Sequence, residues 1–162
     1  MTNFSSYLQD YYNGINTRRE TAAHGLRKIF LHLKQHCPQL QRIEITYDGC
    51  GDSGQVETIL FWDGANVFDP PQDLMNDPLP TTVVEQSLPY SPELNISAEQ
   101  ALDQYAWDIA YGQNPGFEIN EGGYGTITIE TELDADLTLE DIKVHLEHCE
   151  RVEHVDEYNY EF

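Results

Sequence analysis

Positive charge is what this chain has least of. Its 162 residues hold 8 Lys and Arg against 29 Asp and Glu, a formal net charge of −21. Beyond residue 42 only Lys143 and Arg151 are basic. Such a field repels nucleic acid and anionic membrane surfaces, and it attracts cations or basic proteins. Long apolar runs are missing as well. Nothing approaches the roughly 20 residues that would span a bilayer, so no membrane span is expected. The opening MTNFSSYLQDYYNG is polar and lacks the form of a secretory leader. Cysteine is sparse and odd in number (Cys37, Cys50, Cys149), which argues against a disulfide framework and makes a reduced cytoplasm the expected setting. A single domain over residues 1–162 is expected, and at this length it buries roughly 70% of its unfolded surface without a covalent staple.

The charge that is present is segregated. Residues 1–42 carry six basic and two acidic side chains, whereas residues 43–162 carry two basic and 27 acidic ones. Adaptation to high salt would acidify the whole surface, so a net-basic first quarter counts against it. Plain solubility is the competing explanation for the acidity.

Periodicity outlines the elements. Residues 17–36 read as a helix, with Thr17 and Glu20 in capping-box spacing and Leu26, Ile29, Phe30 and Leu33 as its apolar stripe. Arg18, Arg19, Arg27, Lys28 and Lys34 would make its outer face basic, and Pro38 would close it. Residues 5–12 suggest a short preceding helix. Residues 42–47 and 56–62 read as strands joined into a hairpin by the glycine-rich segment 48–55. Six of the eight prolines fall in 63–96, which reads as an extended excursion with one strand at 81–86. Residues 97–111 read as a second helix, opened by a Ser97–Gln100 capping box and stopped at Gly112. GFEINEGGYGTITIE then reads as strand, turn, strand. A turn near residues 133–136, with 142–147 returning as a partner strand, fits usual strand lengths. Together these imply an α+β fold: an antiparallel sheet of about five or six strands with two main helices on one face.

The hairpin segment ITYDGCGDSGQVE contains Gly-Asp-Ser-Gly, the letters around the nucleophile of chymotrypsin-like proteases, and Thr21-Ala22-Ala23-His24 echoes their histidine segment. The echo is an accident. His24 falls in a helix, Gln55 stands where those enzymes carry glycine, and the chain is too short for their paired barrels. A different likeness covers the same residues. YDGCGDSGQVE (47–57), followed by GFEINEGGYG (116–125) and the ending EYNYEF, resembles an uncharacterised bacterial domain family of chromosomes and mobile elements. Its members carry Asp-Gly-x-Gly-Asp-Ser-Gly-Gln-(Ile/Val)-Glu and a later Glu-Asn-rich Gly-Gly-Tyr-Gly segment. The resemblance spans roughly residues 26–162. Cys50, Ile119 and a longer proline-rich middle depart from the pattern. The family has no assigned activity, so the likeness implies positions and no mechanism.

Three kinds of chemistry are open to these residues. A loop site could draw on Asp48, Asp52, Ser53, Glu57, Glu118, Glu121 and Tyr124, whose carboxylates would take calcium or magnesium. The spacing is wrong for an EF-hand, and such residues in glycine-rich turns commonly bond their own backbone. His145, His148 and Cys149 are zinc-ligand types, but a strand would point the two histidines to opposite faces. The acidic surface is the third candidate. Glu130, Glu132, Asp134 and Asp136, if extended, would stand about 6.6–6.8 Å apart, close to a row of phosphates. Glu153, Asp156 and Glu157 extend that acidity. The reading taken forward is a non-enzymatic acidic interaction protein, without direct nucleic-acid or membrane contact. It binds a basic partner such as a nucleic-acid-binding protein, as a nucleic-acid mimic in bacterial defence or anti-defence would. A divalent-metal module or enzyme at the glycine-rich loops, and a homo-oligomeric structural subunit pairing the basic helix with an acidic sheet, are its alternatives.

Overall fold

Strand β1 (Arg42–Cys50) buries every second residue, namely Ile43, Ile45, Tyr47 and Gly49, as a strand with one covered face must. It is the central strand. In the computed structural model, which describes residues 4–51, 53–83, 95–116 and 122–151, β1 pairs antiparallel with β2 (Ser53–Trp62) and with β4 (Gly123–Glu130). The short β3 (Val67–Phe68) extends the β2 edge, and β5 (Lys143–Glu150) extends the β4 edge. The order is β3-β2-β1-β4-β5. The hairpin, the second helix and the return of β5 onto β4 all agree with the sequence, and the α+β class holds.

Register aligns the covered face into rows. Phe61, Ile43, Ile129 and Val144 form one, and Ile59, Ile45, Ile127 and Leu146 the next. Helices α1 (Phe4–His36) and α3 (Ala98–Gln113) supply the opposing layer through Leu26, Ile29, Phe30 and Leu33, and through Leu102, Tyr105 and Ile109. Each such side chain contributes about 1.5–3 kcal/mol when removed from water. The helices meet closely at Gly25, where a Cβ would stand 2.5 Å from Cζ of Tyr105. Arg18 of α1 fastens them, donating from Nε to the buried Asp108 at 2.9 Å.

Several expectations need correction. The first helix runs unbroken for 33 residues, absorbing both expected helices, because one glycine at position 14 does not outweigh its neighbours. Thr17 is therefore interior and donates back to the Asn13 carbonyl at 2.9 Å instead of capping. Nor do all five basic residues of α1 stand free on its outer face. Arg27 donates to the Ile142 carbonyl at 3.0 Å, and the buried Lys34 donates to the carbonyls of Leu40 (2.6 Å) and Pro38 (3.1 Å). Gly112 does not stop α3. It is buried where the helix crosses α1, 3.2 Å from Arg19 Cβ were a Cβ present. The proline-rich part is organised by β3, the helix α2 (Gln72–Asn76) and a bridge between Pro78 and Ser97. Residues 81–83 form a turn where a strand was expected, with Val83 N–H donating to Pro80. Residues 84–86 lie outside the described residues. The acidic row is not a strand face either, because β4 ends at Glu130 and residues 132–136 belong to its connection to β5. Asp136 has φ 57°, in the left-handed region, which breaks any extended run.

The capping box at Ser97 is present in full, with Gln100 N–H donating to Ser97 Oγ and Ser97 N–H to Gln100 Oε1. Ser97→Ala is expected to cost about 1 kcal/mol, read as a lower urea midpoint with an unchanged slope.

Candidate functional site

Most chemistry-bearing residues gather at the end of the sheet formed by the β1–β2 turn and the start of β4. On the uncovered face Asp48 and Tyr124 are direct neighbours across β1 and β4. Arg151, just past β5, reaches both. Its guanidinium binds Asp48 in a fork, with Nη1 to Oδ1 3.0 Å and Nη2 to Oδ2 2.6 Å, and lies 5.1 Å from the centre of the Tyr124 ring. Hydrogen bonding from Arg151 holds the Asp48 carboxyl below its usual pKa. A carboxylate engaged this way is a poor ligand for a hard cation. Glu57 is the extra residue of a β-bulge in β2, between the Thr46/Thr58 and Tyr47/Val56 pairs, and accepts from Gln55 at 3.2 Å. Ser53 closes the turn by donating to the Cys50 carbonyl at 3.4 Å. Asp52, Glu118 and Glu121 lie outside the described residues, as do Glu153, Asp156 and Glu157. Among the described residues no group of three or more His, Cys, Asp or Glu could hold a metal ion.

The covered face at the same end is built from glycines. Gly54, Gly49 and Gly123 form a row of three without side chains, and Gly125 sits between Tyr47 and His148 in the row beside it. Rings occupy the space. A Cβ on Gly54 would overlap Cη2 of Trp107 from α3, and one on Gly125 would stand 2.5 Å from the Tyr47 hydroxyl. Tyr47 therefore lies across Gly125 to His148, its hydroxyl 2.6 Å from Nδ1 and the rings nearly parallel at 5.8 Å. Trp107 meets Tyr47 edge-on at 6.5 Å. Burial, then the nearby Cys149 thiol, pushes the Tyr47 phenol well above its usual pKa. Burial pulls His148 below its usual value, partly opposed by Glu150. Both groups are thus neutral near pH 7, and the hydroxyl and Nδ1 share one hydrogen bond whose donor is set by the imidazole tautomer. His145 faces the other way and is exposed. Nothing in the sequence marked Trp107 or Arg151, although Arg151 is one of only two cations after residue 42.

A second concentration of charge lies at the opposite edge, where β3, α2 and the start of α3 adjoin. A groove of about 350 Å³ has Ile59, Phe61 and Met75 along it and carries Asp69 and Glu99. Asp73 on α2, Asp77 just after it and Asp103 on α3 are exposed as well. Burial, then the like charge of Glu99 one turn away, raises the Asp103 pKa. None of these five acids has an ion-pair partner among the described residues. On the uncovered sheet face several acids do meet cations: Glu130 stands in register between Arg42 and Lys143, Arg42 pairs with Glu44 at 3.7 Å, and Asp48 has Arg151.

Residues 24–162 match the model of a family of unknown function, DUF6878, and the chain belongs to that family. No match was found among curated proteins or solved structures. Among the described residues no helix is long and apolar enough to cross a membrane.

The glycine geometry distinguishes two substitutions. Gly122 has φ 78° and its Cβ would overlap the Gly49 carbonyl, whereas Gly51 has φ 58° with nothing within 4 Å. Gly51→Ala should cost about 1–2 kcal/mol of backbone strain. Gly122→Ala should add an overpacking penalty of about 1–3 kcal/mol, so its urea midpoint falls further. For His148 the folded pKa lies below the unfolded 6.5. Its contribution is complete above that pH and is lost as the pH falls through 6.5 towards the folded value. NMR should show a His148 titration midpoint under 6.5. His148→Gln should flatten part of the stability loss in that window, the remainder belonging to His32, which is lowered likewise.

Proposed function

We propose that this protein is a non-enzymatic, acidic interaction protein that binds a basic surface of its partner at the edge formed by β3, α2 and the start of α3. One observation carries the reading: the carboxylates of Asp69 and Glu99 on a groove that also has Ile59, Phe61 and Met75 along it, with Asp73, Asp77 and Asp103 exposed nearby in the chain, none of the five ion-paired among the described residues. Seven of the chain's eight Lys and Arg meet groups elsewhere: Asp108, Gln113, Ile142 O, Leu40 O, Glu44 and Asp48, with Lys143 in register beside Glu130. Lysine and arginine suit such a groove. Their methylene stems pack on Phe61 and Met75 while the charged ends reach Asp69 and Glu99. Proteins that handle nucleic acids present such side chains in number, so a nucleic-acid-binding protein is the favoured partner class, with inhibition by charge mimicry as the consequence.

The reading is tested with a lysine- and arginine-rich peptide as probe. Binding should weaken steeply as salt shortens the Debye length from about 10 to 3 Å. Asp69→Asn, Asp73→Asn and Glu99→Gln together should weaken it by about tenfold, from three pairs worth up to about 1 kcal/mol each. Neutralising Glu132, Asp134 and Asp136 on the other edge should do less. Affinity indifferent to salt, or equal losses in both triple variants, contradicts the proposal.

A further inference from the structure

Three of the six exposed large hydrophobic side chains among the described residues lie on one short stretch of α1: Tyr7 (65%), Tyr11 (48%) and Tyr12 (56%). The stretch is an overhang. Helix α3 ends at Gln113, whose side chain accepts from Arg19, and Gly112 packs by Arg19 and the Ile15 carbonyl. Beyond that crossing α1 continues through residues 4–14, about 16 Å at 1.5 Å per residue. At 3.6 residues per turn Tyr7, Leu8, Tyr11, Tyr12 and Ile15 share one face about 140° wide. It is in line with the face that buries Ala22, Leu26, Ile29, Phe30 and Leu33 further along. The opposite face carries Gln9 and Asn13, hydrogen-bonded at 3.2 Å. A helical segment this short is marginal in water on its own, and Gly14, with open space around it, weakens it by about 1 kcal/mol. The aromatic face supplies the missing stabilisation only if something covers it.

We propose that this face is a homodimer surface, covered by the same face of α1 from a second copy running antiparallel. Charge selects the occupant. Residues 4–17 carry a single charged side chain, Asp10, in a chain of net charge −21, so the face offers nothing to the basic partner that the rest of the surface attracts. The pattern is self-complementary, as a two-fold interface requires. Setting Leu8 against Ile15 of the partner subunit also sets Tyr11 against Tyr12 of the partner subunit, and the reverse. Antiparallel packing leaves the two acidic bodies at opposite ends of the helix pair, their near edges about 10 Å apart at 1.5 Å per residue, about one Debye length. Six tyrosines, about half exposed and burying about 150–250 Å² each when covered, supply roughly 600 Å². Leu8, Ile15 and the helix backbones bring the total towards the roughly 1,200 Å² of a small specific interface.

Sedimentation equilibrium of the full chain over a concentration series decides the matter. The expected mass is twice 18.6 kDa. It should hold or rise in high salt, because screening relieves repulsion between the bodies, the opposite of the salt response expected for a basic partner. Leu8→Asp and, separately, Tyr11→Ser should each give a monomer with the melting temperature of the body unchanged, while Asn13→Asp on the other face keeps the dimer. A mass of 18.6 kDa at every concentration and salt overturns the proposal, as does a dimer that survives both variants or one that Asn13→Asp abolishes equally.

Discussion

Eight positive side chains must serve a chain with 29 carboxylates, and the fold uses them mainly on its own interior and seams. Arg18 neutralises Asp108 where α3 lies against α1, at a position where burial alone would favour the protonated acid. Arg27 and Lys34 satisfy carbonyls at the ends of connecting segments, doing by side chain what backbone pairing leaves undone. Arg151 ties the tail end of β5 to β1 through Asp48. With the cations committed in this way, the remaining acids set the external field. A strongly anionic edge is thus a consequence of how the interior is satisfied, and the recognition of basic groups proposed for it needs no further device.

The glycine-rich segments have a use distinct from ligand binding. Gly49, Gly54, Gly123 and Gly125 remove side chains from the covered end of the sheet, and the rings of Tyr47, His148 and Trp107 take up the room. Rings on bare backbone pack densely and fix the register of four strands at the end where the hairpin would otherwise fray. Asp48 and Ser53 then serve this end, one bridged to Arg151 and the other bonded to its own turn. The resemblance to a protease nucleophile segment is a by-product of turn chemistry.

The sequence was most legible where one periodicity ran uninterrupted. The alternation of Ile43, Ile45 and Tyr47, the stripe of Leu26, Ile29, Phe30 and Leu33, and the Ser97–Gln100 box each state a local rule that tertiary packing also obeys. Reading failed where local and long-range demands diverge. Thr17 with Glu20 has the letters of a cap, yet a helix already nucleated upstream passes through it. The alternating acids after Ile129 have the letters of a strand face, which a row of four would need, but the turn expected near 133–136 takes Glu132, Asp134 and Asp136 out of the sheet and returns β5 onto β4. Cation placement was illegible for a different reason. The partners of Arg18 and Arg151 lie 90 and 103 residues away, a distance no local pattern encodes.

Carboxyl-resolved NMR titration of Asp103 and Asp48 at low and high salt reaches the central claim, that the cations are committed internally and the β3–α2–α3 edge is left unopposed. Asp103 should titrate above the usual aspartate value and move part of the way down as salt screens Glu99, while Asp48 stays below it. An Asp103 midpoint at or below the usual value would mean that a positive group faces that edge, and the account would fail.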